Sequence, residues 1–400
     1  MGEKKLTGFP SREDALRDFL AAWQPSRSTE LVALDAAIGR ITATCSTSRI
    51  FLPVYRSSMC DGIAVRSTDF AAGLPDSSCW RLGVDYVRAD TGDDFDDAFD
   101  AVIMIEKAEI QADGSVILDD DVQVSAGSNV NSSGSTIKIG DPLLESGVVI
   151  RPSDLAALAL GGQTMVEVYT RPKVTFIPTG NELVPAGITP LRGQNVDTNS
   201  LMVKHMLLEM HANPIIFPIV RDDQTLLREA FDTAIALSDI VIINAGSAVG
   251  QEDFNVALIE ERGRIIHHYI AAVPGRPMMM AVVDDKPVVI LPGPPIAAYY
   301  GTDWCIRAVI AHWYGVAAAK HPTVQAYFEQ DIDNPPLFAN LAKLTVTRDE
   351  KGDYLARPVL FKGGQMAQAL ASNAQRVSPL GEAPIAASEP VLVELLRDTI

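Results

Sequence analysis

The sequence predicts a multidomain protein that combines α/β and β structure. In its central part apolar runs alternate with helical segments, and three of the runs end at turns of small residues: Val174–Pro178, Ile240–Ile243 and Val288–Leu291. Buried parallel strands are continuous apolar runs, and open α/β sheets bind ligands beyond the carboxyl ends of their strands. We therefore expect a central three-layer α/β domain with a mostly parallel sheet, flanked by a β-rich inserted domain and a small C-terminal β domain.

The composition indicates a globular protein with more than one core. The 400 residues are 47% hydrophobic and 21% charged, and chains of this length are normally divided into domains. The net charge of −18 argues against a nucleic-acid surface, because phosphate binding requires clustered Lys and Arg. The four scattered cysteines lack the paired spacing of zinc or redox sites. With a polar N-terminus and no membrane-spanning apolar stretch, we predict a cytoplasmic protein without nucleic-acid or membrane partners.

The segment before the centre is predicted to combine helices with short strands. Ser11 caps a helical apolar stripe, and a second helix is expected over Ser28 to Ile38. From Ile41 to Gly147 short β-type runs alternate with Gly, Asp and Asn turns. These runs are Ala101–Ile105, Ser115–Leu118, Val122–Val124 and Thr136–Ile139, with a last run at Val148–Ile150. A helix over Ser153 to Leu160, capped by Ser153, could pack on the N-terminal helices and make the first domain discontinuous.

From Pro172 to Ala318 strands and helices alternate, which implies a parallel sheet covered on both faces. The predicted strands are Val174–Pro178, Pro214–Val220, Asp239–Asn244 and Pro287–Leu291. The predicted helices are Thr198–His211, Gln224–Leu237, Asp253–Arg262 and a long helix from Ile296. Short strands return after Lys320. The predicted domains are therefore 1–45 with 146–170, 46–145, 171–320 and 321–400.

The turn Thr179-Gly180-Asn181-Glu182 follows the first central strand. Its Gly admits a close backbone approach, Thr179 can hydrogen-bond a ligand, and Glu182 can take a proton or coordinate a hard cation. An ordinary turn with a solvated Glu182 explains the same residues equally well. Asp222 and Asp223 end the next strand, where paired acids could hold Mg²⁺, although helix capping by Asp223 is the commoner use.

Two further turns in the centre could bind an anion. The loop from Gly246 to Gly250, followed by Asp253, resembles a phosphate-binding loop at a helix N-terminus. It lacks the Lys of a P-loop and the spacing of the dinucleotide fingerprint, and Asp253 is also explained as an N-terminal helix acid. Pro274-Gly275-Arg276 is a rigid turn with one cation that could pair with phosphate, although a surface Arg needs no such role.

The β-rich segment has its own candidates. Asp61-Gly62 precedes an apolar strand, a position where the pair ordinarily forms a simple turn. Thr91-Gly92 stands shortly before the strand that leads to Glu106. His267-His268 has no third ligand at useful spacing, so we interpret this pair as structural.

The order of these motifs resembles the molybdopterin molybdenumtransferase family, which includes MoeA and the gephyrin E-domain. The matching motifs, spread over nearly the whole chain, are Ser58-x-x-Asp61-Gly62-Ile63-Ala64-Val65, Thr91-Gly92, Asp100-Ala101-Val102 with Glu106, Gly127-x-Asn129-Val130, Thr179-Gly180-Asn181-Glu182-Leu183, Gly193-Gln194-x-x-Asp197-Thr198-Asn199, Arg221-Asp222-Asp223, Asp239-Ile240-Val241-Ile242, Val249-Gly250-x-x-Asp253, Pro274-Gly275-Arg276-Pro277 and Leu291-Pro292-Gly293. The resemblance implies an elongated four-domain homodimer with a molybdopterin-binding central α/β domain. It also implies an active site between that domain of one subunit and the β-rich second domain of the other.

The resemblance further implies a reaction and the residues that perform it. In the family, adenylylated molybdopterin is bound, molybdenum from molybdate is inserted, and the adenylate is hydrolysed with a divalent cation. The implied catalytic residues are Asp61, Thr91, Glu182 and Asp222, with Glu182 and Asp222 as Mg²⁺ ligands. The implied binding residues for the pterin substrate are Thr179, Gly180, Asn181, Gly246, Ser247, Gly250, Asp253, Pro274, Gly275, Arg276, Pro292 and Gly293. The implied partners are molybdopterin adenylyltransferase and recipient molybdoenzymes.

The chain departs from the family pattern mainly where cations are expected. Two lysines of the family are replaced by Tyr269 and Val273, and an Arg-rich stretch is replaced by Asn131-Ser132-Ser133. Two acids are also lost, since Asn181 replaces the usual Asp and Thr136 replaces an acid. Finally, Pro294 replaces an Asn, and a Ser-Gly-Gly-Val-Ser loop is replaced by Asn244-Ala245-Gly246-Ser247-Ala248. Oxyanions need positive charge or amide donors to replace their hydration. Two alternatives to the enzyme therefore stay open: a carrier, chaperone or sensor of molybdopterin or its cofactor, and a protein–protein scaffold.

Overall fold

The chain between Thr29 and Tyr169 forms one compact unit, here called the inserted unit. The segments Met1–Ser28 and Thr170–Ile400 together form the other, here called the main unit. The computed structural model describes residues 8–245, 251–334, 337–360, 365–387 and 389–397. The finer division into four domains stays a prediction.

The helices and strands have the following bounds. The helices are α1 (Arg12–Ala21), α2 (Pro152–Leu160), α3 (Asn199–Glu209), α4 (Gln224–Leu237), α5 (Gln251–Glu260), α6 (Pro295–Gly301), α7 (Arg307–Tyr314) and α8 (Met366–Leu370). The strands of the inserted unit are β1 (Thr29–Ala33), β2 (Ser46–Thr47), β3 (Ser57–Ser58), β4 (Gly62–Val65), β5 (Val87–Ala89), β6 (Ala101–Met104), β7 (Ala108–Ile110), β8 (Val116–Leu118), β9 (Val130–Asn131), β10 (Pro142–Leu144) and β11 (Met165–Tyr169). Those of the main unit are β12 (Lys173–Pro178), β13 (Leu183–Val184), β14 (Asn195–Val196), β15 (Asn213–Ile216), β16 (Ile240–Ala245), β17 (Gly263–His268), β18 (Ala272–Val273), β19 (Met279–Val283), β20 (Lys286–Pro292), β21 (Thr323–Phe328), β22 (Ala339–Arg348), β23 (Tyr354–Pro358), β24 (Ala374–Val377) and β25 (Pro390–Leu395).

The central sheet of the main unit has the strand order β15-β12-β16-β20-β19-β17. Strands β15, β12, β16 and β20 are mutually parallel, while β19 runs antiparallel to both β20 and β17. The β16 strand is buried along its whole length, as expected for a parallel sheet with both faces covered. The carboxyl ends of β12, β16 and β20 therefore lie side by side, which confirms the predicted alignment of their turns.

Helices cover both faces of this sheet, which confirms the three-layer prediction. On one face Leu227 and Phe231 of α4, with Leu258 and Ile259 of α5, form a core with alternate residues of the strands. On the other face α3 packs against β12 and α6 against β20. The predicted long helix from Ile296 is α6 continued through a π-helical turn (Thr302–Ile306) into α7.

The C-terminal part of the main unit is a closed β-barrel. Strands β22, β23, β21, β25 and β24 form a ring, because β24 pairs with both β25 and β22. Its interior contains apolar side chains such as Phe328, Leu344 and Val393. Closure leaves these strands without a free edge, and it confirms the predicted small C-terminal β domain.

The inserted unit is β-rich, as predicted, and has several small sheets. Strand β4 lies between β5 and β6 in a three-stranded antiparallel sheet, and Ile63, Tyr86 and Ile103 belong to the core beneath it. Strands β1 and β11 form a separate antiparallel ribbon, and Leu158 of α2 belongs to the apolar cluster that packs against it.

The predicted helix over Ser28–Ile38 is wrong. Residues Thr29–Ala33 form strand β1, and only Leu34–Ala36 makes a short 3₁₀ turn. All five residues of β1 pair with β11, from Thr29 opposite Tyr169 to Ala33 opposite Met165. A distant strand thus overrides the local helical spacing, since β structure depends strongly on its neighbours.

Several predicted boundaries also differ from the structure. The cap of α2 is not Ser153, because the Asp154 carboxylate accepts from the Arg151 backbone N–H at 2.9 Å. The strand predicted to end at Val220 stops at Ile216. Residues 122–124 form no strand, and the runs at 136–139 and 148–150 are reduced to isolated bridges at Ile137 and Val149. Ile137 pairs only with Leu52 and Val149 only with Ile41, so each of these two runs makes a single bridge rather than a ladder.

Candidate functional site

The turn after β12 is attached to strand β16 and to the segment that follows β15. The backbone N–H and the hydroxyl of Thr179 both donate to the carbonyl oxygen of Asn244, at 3.0 and 3.1 Å. The Gly180 N–H donates to the carbonyl of Val220 at 3.1 Å. The Thr179 hydroxyl, predicted to contact a ligand, is therefore engaged in positioning the turn.

Three of the predicted site residues, Asn181, Glu182 and Asp222, are brought together at this turn. The Asn181 N–H donates to Asp222 Oδ2 at 3.1 Å, and the Asp222 N–H donates to Asn181 Oδ1 at 3.3 Å. The Glu182 carboxylate folds back over Gly180, where an added methyl group would lie 2.7 Å from its Oε2. Gly180 has a φ of 149°, a conformation that favours glycine. Asp222, from a distant segment of the chain, is thus hydrogen-bonded to the turn that carries the Glu182 carboxylate.

Asn244 connects the carboxyl ends of β16 and β20. Its side chain is buried, and Nδ2 donates to the carbonyls of Pro292 at 2.9 Å and Leu291 at 3.2 Å. Its Oδ1 accepts from Asn199 Nδ2 at 2.8 Å, which also donates to the Gly293 carbonyl at 2.8 Å. The Pro292-Gly293 turn is thus held to the first residue of α3. Asn199 appeared in the motif pattern, yet only this contact shows what it does.

The turn Pro274-Gly275-Arg276 lies at the same edge of the sheet. Met279, which follows it, is opposite Ile290 near the carboxyl end of β20. Gly275 has a φ of 114°, and a methyl group there would lie 3.4 Å from the Tyr300 ring. The Arg276 carbonyl accepts from the Ile270 N–H at 3.0 Å, and its side chain is exposed. Arg276 is thus positioned as an accessible cation on the β19 side of the edge.

Four predicted binding residues cannot be placed fully. Gly246, Ser247 and Gly250 lie outside the described residues. Asp253 lies in helix α5, but its side chain is outside the described part of the chain.

A cavity of about 980 Å³ opens beside the turn. Its lining includes Gly180 and Asn181 together with Lys204 of α3 and Arg221, two cations that were not predicted as site residues. Volumes of this order suit small-molecule ligands. Arg221 adjoins the predicted Asp222, whereas nothing in the local pattern distinguishes Lys204 from other exposed helix lysines.

In the inserted unit the structure brings Asp61 and Thr91 together. Asp61 Oδ1 accepts from the Thr91 N–H at 2.7 Å and from the Thr91 hydroxyl at 2.8 Å. These bonds hold the pKa of the Asp61 carboxyl below its usual value. The other oxygen, Oδ2, has no hydrogen-bond partner among the residues that the structure describes. A cavity of about 560 Å³ adjoins Asp61 and also contacts Arg88, Asp90 and Glu106.

Two further predictions concern membrane-spanning helices and the pair His267-His268. No helix within the described ranges is long and apolar enough to span a bilayer. His267 has a structural partner, since its Nε2 lies 2.9 Å from Asp18 Oδ2.

Comparison with known proteins identifies the family of the chain. Residues 10–162 match the MoeA N-terminal region (domain I and II), and residues 175–312 match a family described as a probable molybdopterin binding domain. The chain is 28% identical over 393 residues to the molybdopterin molybdenumtransferase of Haemophilus influenzae, covering 92% of this chain and 93% of that protein. It is 30% identical over 392 residues to the protein of that name from a Nostoc species, covering 92% and 88%.

The fold agrees with these matches. The structure of the molybdopterin biosynthesis MoeA protein from Pyrococcus horikoshii superposes with a TM-score of 0.81 at 25% sequence identity, covering 98% of this chain and 100% of that one. The architecture is therefore shared over nearly the whole length. The chain belongs to the molybdopterin molybdenumtransferase family.

Proposed function

We propose that this protein is a molybdopterin molybdenumtransferase that acts on adenylylated molybdopterin. In the proposed reaction, molybdenum from molybdate is inserted into the pterin dithiolene and the adenylate is hydrolysed. The observation that carries the proposal is the pairing of Asp222 with Asn181, which holds the Asp222 carboxylate beside the turn that bears Glu182, at the strand ends of the central sheet. Ligands of open α/β sheets bind at such ends.

The carboxylates of Glu182 and Asp222 fit a magnesium ion. Both offer hard oxygen donors, and the Glu182 carboxylate has no hydrogen-bond partner among the described residues. Asp222 uses Oδ2 to accept from the Asn181 N–H, which orients the side chain and leaves Oδ1 for a cation. When bound, Mg²⁺ would supply positive charge that offsets the charge of the phosphates.

The cavity beside the turn fits the anionic part of the substrate. Lys204 and Arg221 line it and are exposed to solvent, so they can replace part of the hydration of a phosphate. Arg276 adds a cation at the same sheet edge. These three side chains offset the replacement of the two family lysines by Tyr269 and Val273.

Asp61 and Thr91 are proposed to serve the same reaction from the inserted unit. The Asp61 carboxylate is held ionised by Thr91, so it is a poor proton donor and a good hydrogen-bond acceptor. Its free Oδ2 can orient a water or a substrate hydroxyl by accepting a hydrogen bond. Thr91 fixes the direction of that oxygen.

One observation favours an alternative, a carrier that binds the pterin without inserting metal. Tyr269 stands where the family has a lysine, and its ring stacks on His268 with centroids 4.1 Å apart. This position therefore carries an uncharged ring instead of a cation that could interact with an oxyanion. A carrier would keep the binding surfaces and lose turnover.

Reconstitution separates these functions. The purified chain is mixed with adenylylated molybdopterin, Mg²⁺ and molybdate, and both AMP release and active cofactor are measured. We expect turnover, and we expect Asp61→Ala, Glu182→Ala and Asp222→Ala each to reduce it by at least about 100-fold, the scale of loss of a catalytic group. Glu350→Gln, in the exposed turn between β22 and β23, is the matched control and should retain full activity.

The outcomes exclude different proposals. Tight pterin binding without AMP release would refute the enzyme and favour the carrier. Absence of pterin binding would leave a scaffold function. Wild-type rates in the Asp61 and Glu182 variants would show that these residues do not have the proposed roles.

The cellular context follows from the same proposal. We propose a cytoplasmic homodimer that receives its substrate from molybdopterin adenylyltransferase and passes the product to molybdoenzymes. No nucleic-acid or membrane partner is proposed, in line with the charge of −18.

A further inference from the structure

A second polar cluster lies in the main unit, in a cavity of about 470 Å³ that shares no lining residue with the site above. Asp303 comes from the π-helical turn, His321 precedes β21, and Glu394 lies on β25. One ligand atom from each lies within 4.8 Å of the others. Three separate chain segments thus direct one imidazole nitrogen and two carboxylates at a common point.

The histidine faces the buried carboxylate directly. His321 Nε2 lies 2.9 and 3.0 Å from the two oxygens of Asp303. Asp303 is 7% exposed, while His321 and Glu394 are partly exposed toward the cavity. The point between the three groups is therefore accessible from solvent through the cavity.

Gln375 holds the two carboxylates in position. Its Nε2 donates to Asp303 Oδ2 at 3.0 Å and to Glu394 Oε2 at 2.8 Å. Its Oε1 accepts from the Tyr299 hydroxyl at 3.0 Å and from Lys343 Nζ at 3.1 Å. The two donors fix the amide so that its NH₂ group faces the carboxylates. Hydrogen bonds of this kind orient the ligands of metal sites.

The two carboxylates of the cluster differ in their charge partners. Arg307 Nη2 donates to Asp303 Oδ1 at 2.6 Å, which compensates that carboxylate. Glu394 forms no salt bridge among the residues that the structure describes, and its carboxylate accepts only from Gln375. Its negative charge is therefore left for a cation to compensate.

We propose that Asp303, His321 and Glu394 bind a zinc ion. One imidazole and two carboxylates are ligands that Zn²⁺ accepts at about 2.0–2.2 Å, whereas Mg²⁺ prefers oxygen ligands alone. A fourth position opens to the cavity, where a water can complete the tetrahedron. Gln375 and Arg307 act as positioning residues for the carboxylates.

Zinc titration of the full chain tests this site. Chelator-treated protein is titrated with ZnCl₂ by calorimetry, in the absence of pterin and molybdate. We expect one Zn²⁺ bound through these three residues, and a decrease in affinity of at least about 100-fold in His321→Ala and in Glu394→Gln. Gln375→Leu removes only the orienting bonds, and a loss of about 10-fold is expected from this change. Circular dichroism of each variant checks that it is folded.

Two controls identify the site that binds. His267→Ala removes a histidine that faces a single carboxylate, and it should leave zinc binding unchanged. Asp222→Asn alters the proposed magnesium site, and it should not remove the zinc event that depends on His321. Equal zinc affinity in the wild type and His321→Ala would overturn the proposal, as would a zinc event lost only in Asp222→Asn. Either result would leave the cluster as a network of hydrogen bonds and ion pairs.

Discussion

At the scale of single residues, Asn244 is the strongest structural support of the candidate site. Its amide joins the carbonyls of Leu291 and Pro292 to the side chain of Asn199. We expect Asn244→Ala to decrease the free energy of unfolding by about 2–3 kcal/mol, because several buried polar groups lose their partner. Urea denaturation followed by circular dichroism measures this change.

Asn195 provides the control for this prediction. It is exposed, and its backbone N–H rather than its side chain donates to the Glu182 carbonyl at 2.7 Å. Asn195→Ala should change stability by less than about 0.5 kcal/mol. Equal effects of the two substitutions would show that the Asn244 network contributes little.

The burial of Lys343 predicts that the stability of the protein depends on pH. It is 1% exposed, and its surroundings contain Tyr299, Asp303 and Glu394. Burial lowers the pKa of Lys343 from 10.5 to about 7 although both carboxylates oppose the shift. Between pH 7 and 10.5 Lys343 binds more protons in the unfolded chain than in the folded chain. The free energy of unfolding therefore rises with pH from about 7, and the rise is complete above 10.5.

Urea unfolding at several pH values above 7, in the presence of a chelator, tests this dependence. The rise should be at most about 1.4 kcal/mol per pH unit, and Lys343→Met should flatten it. Lys351→Met, in the exposed turn after β22, should keep the wild-type slope. A slope that is the same in Lys343→Met and the wild type would contradict the prediction.

At the scale of elements, strand β4 depends on a close approach to β6. A methyl group added at Gly62 would lie 1.9 Å from the carbonyl oxygen of Ile103, so the two strands would have to separate. We expect Gly62→Ala to destabilise the inserted unit by about 3 kcal/mol, at the upper end of typical overpacking costs. Thermal denaturation of the full chain measures the change.

Gly140→Ala is the control that measures the cost of backbone strain without a steric contact. Gly140 has a φ of 88° with no atom within 4 Å of an added methyl group, so only the left-handed conformation costs energy, about 1–2 kcal/mol. Gly62→Ala should be the more destabilising of the two. The reverse order would exclude the proposed steric conflict.

Helices show where local sequence was sufficient and where it was not. Helix α4 begins and ends at the residues that its spacing predicted. Asp223 caps it by accepting from the N–H groups of Thr225 and Leu226, both at 2.9 Å. Phe231 is part of its buried apolar face. Both signals are local. Strand β1 has an equally helical pattern, and its pairing with β11, more than 130 residues away in the chain, decides the outcome.

At the scale of the whole molecule, we expect two copies in solution. The family resemblance implies a homodimer, and light scattering coupled to size-exclusion chromatography should give twice the mass of the chain. A mass equal to one chain at micromolar concentration would refute the dimer. The measurement requires no ligand, so it is independent of the reaction test.

The local pattern of the chain predicted its fold class and its family. Apolar runs identified the parallel strands, and the turns after them indicated the edge where a ligand would bind. This succeeds because burial of a strand and the small residues of a turn are properties of neighbouring residues. The order of the motifs then predicted the family without any contact being known.

Only the tertiary structure decided which side chains meet. Asp61 contacts Thr91 across 30 residues, and Asn181 pairs with Asp222 across 41. Lys204 and the cluster of Asp303, His321 and Glu394 had no local signal at all. Such contacts depend on strand order and register, which arise from long-range packing, so no spacing along the chain could specify them.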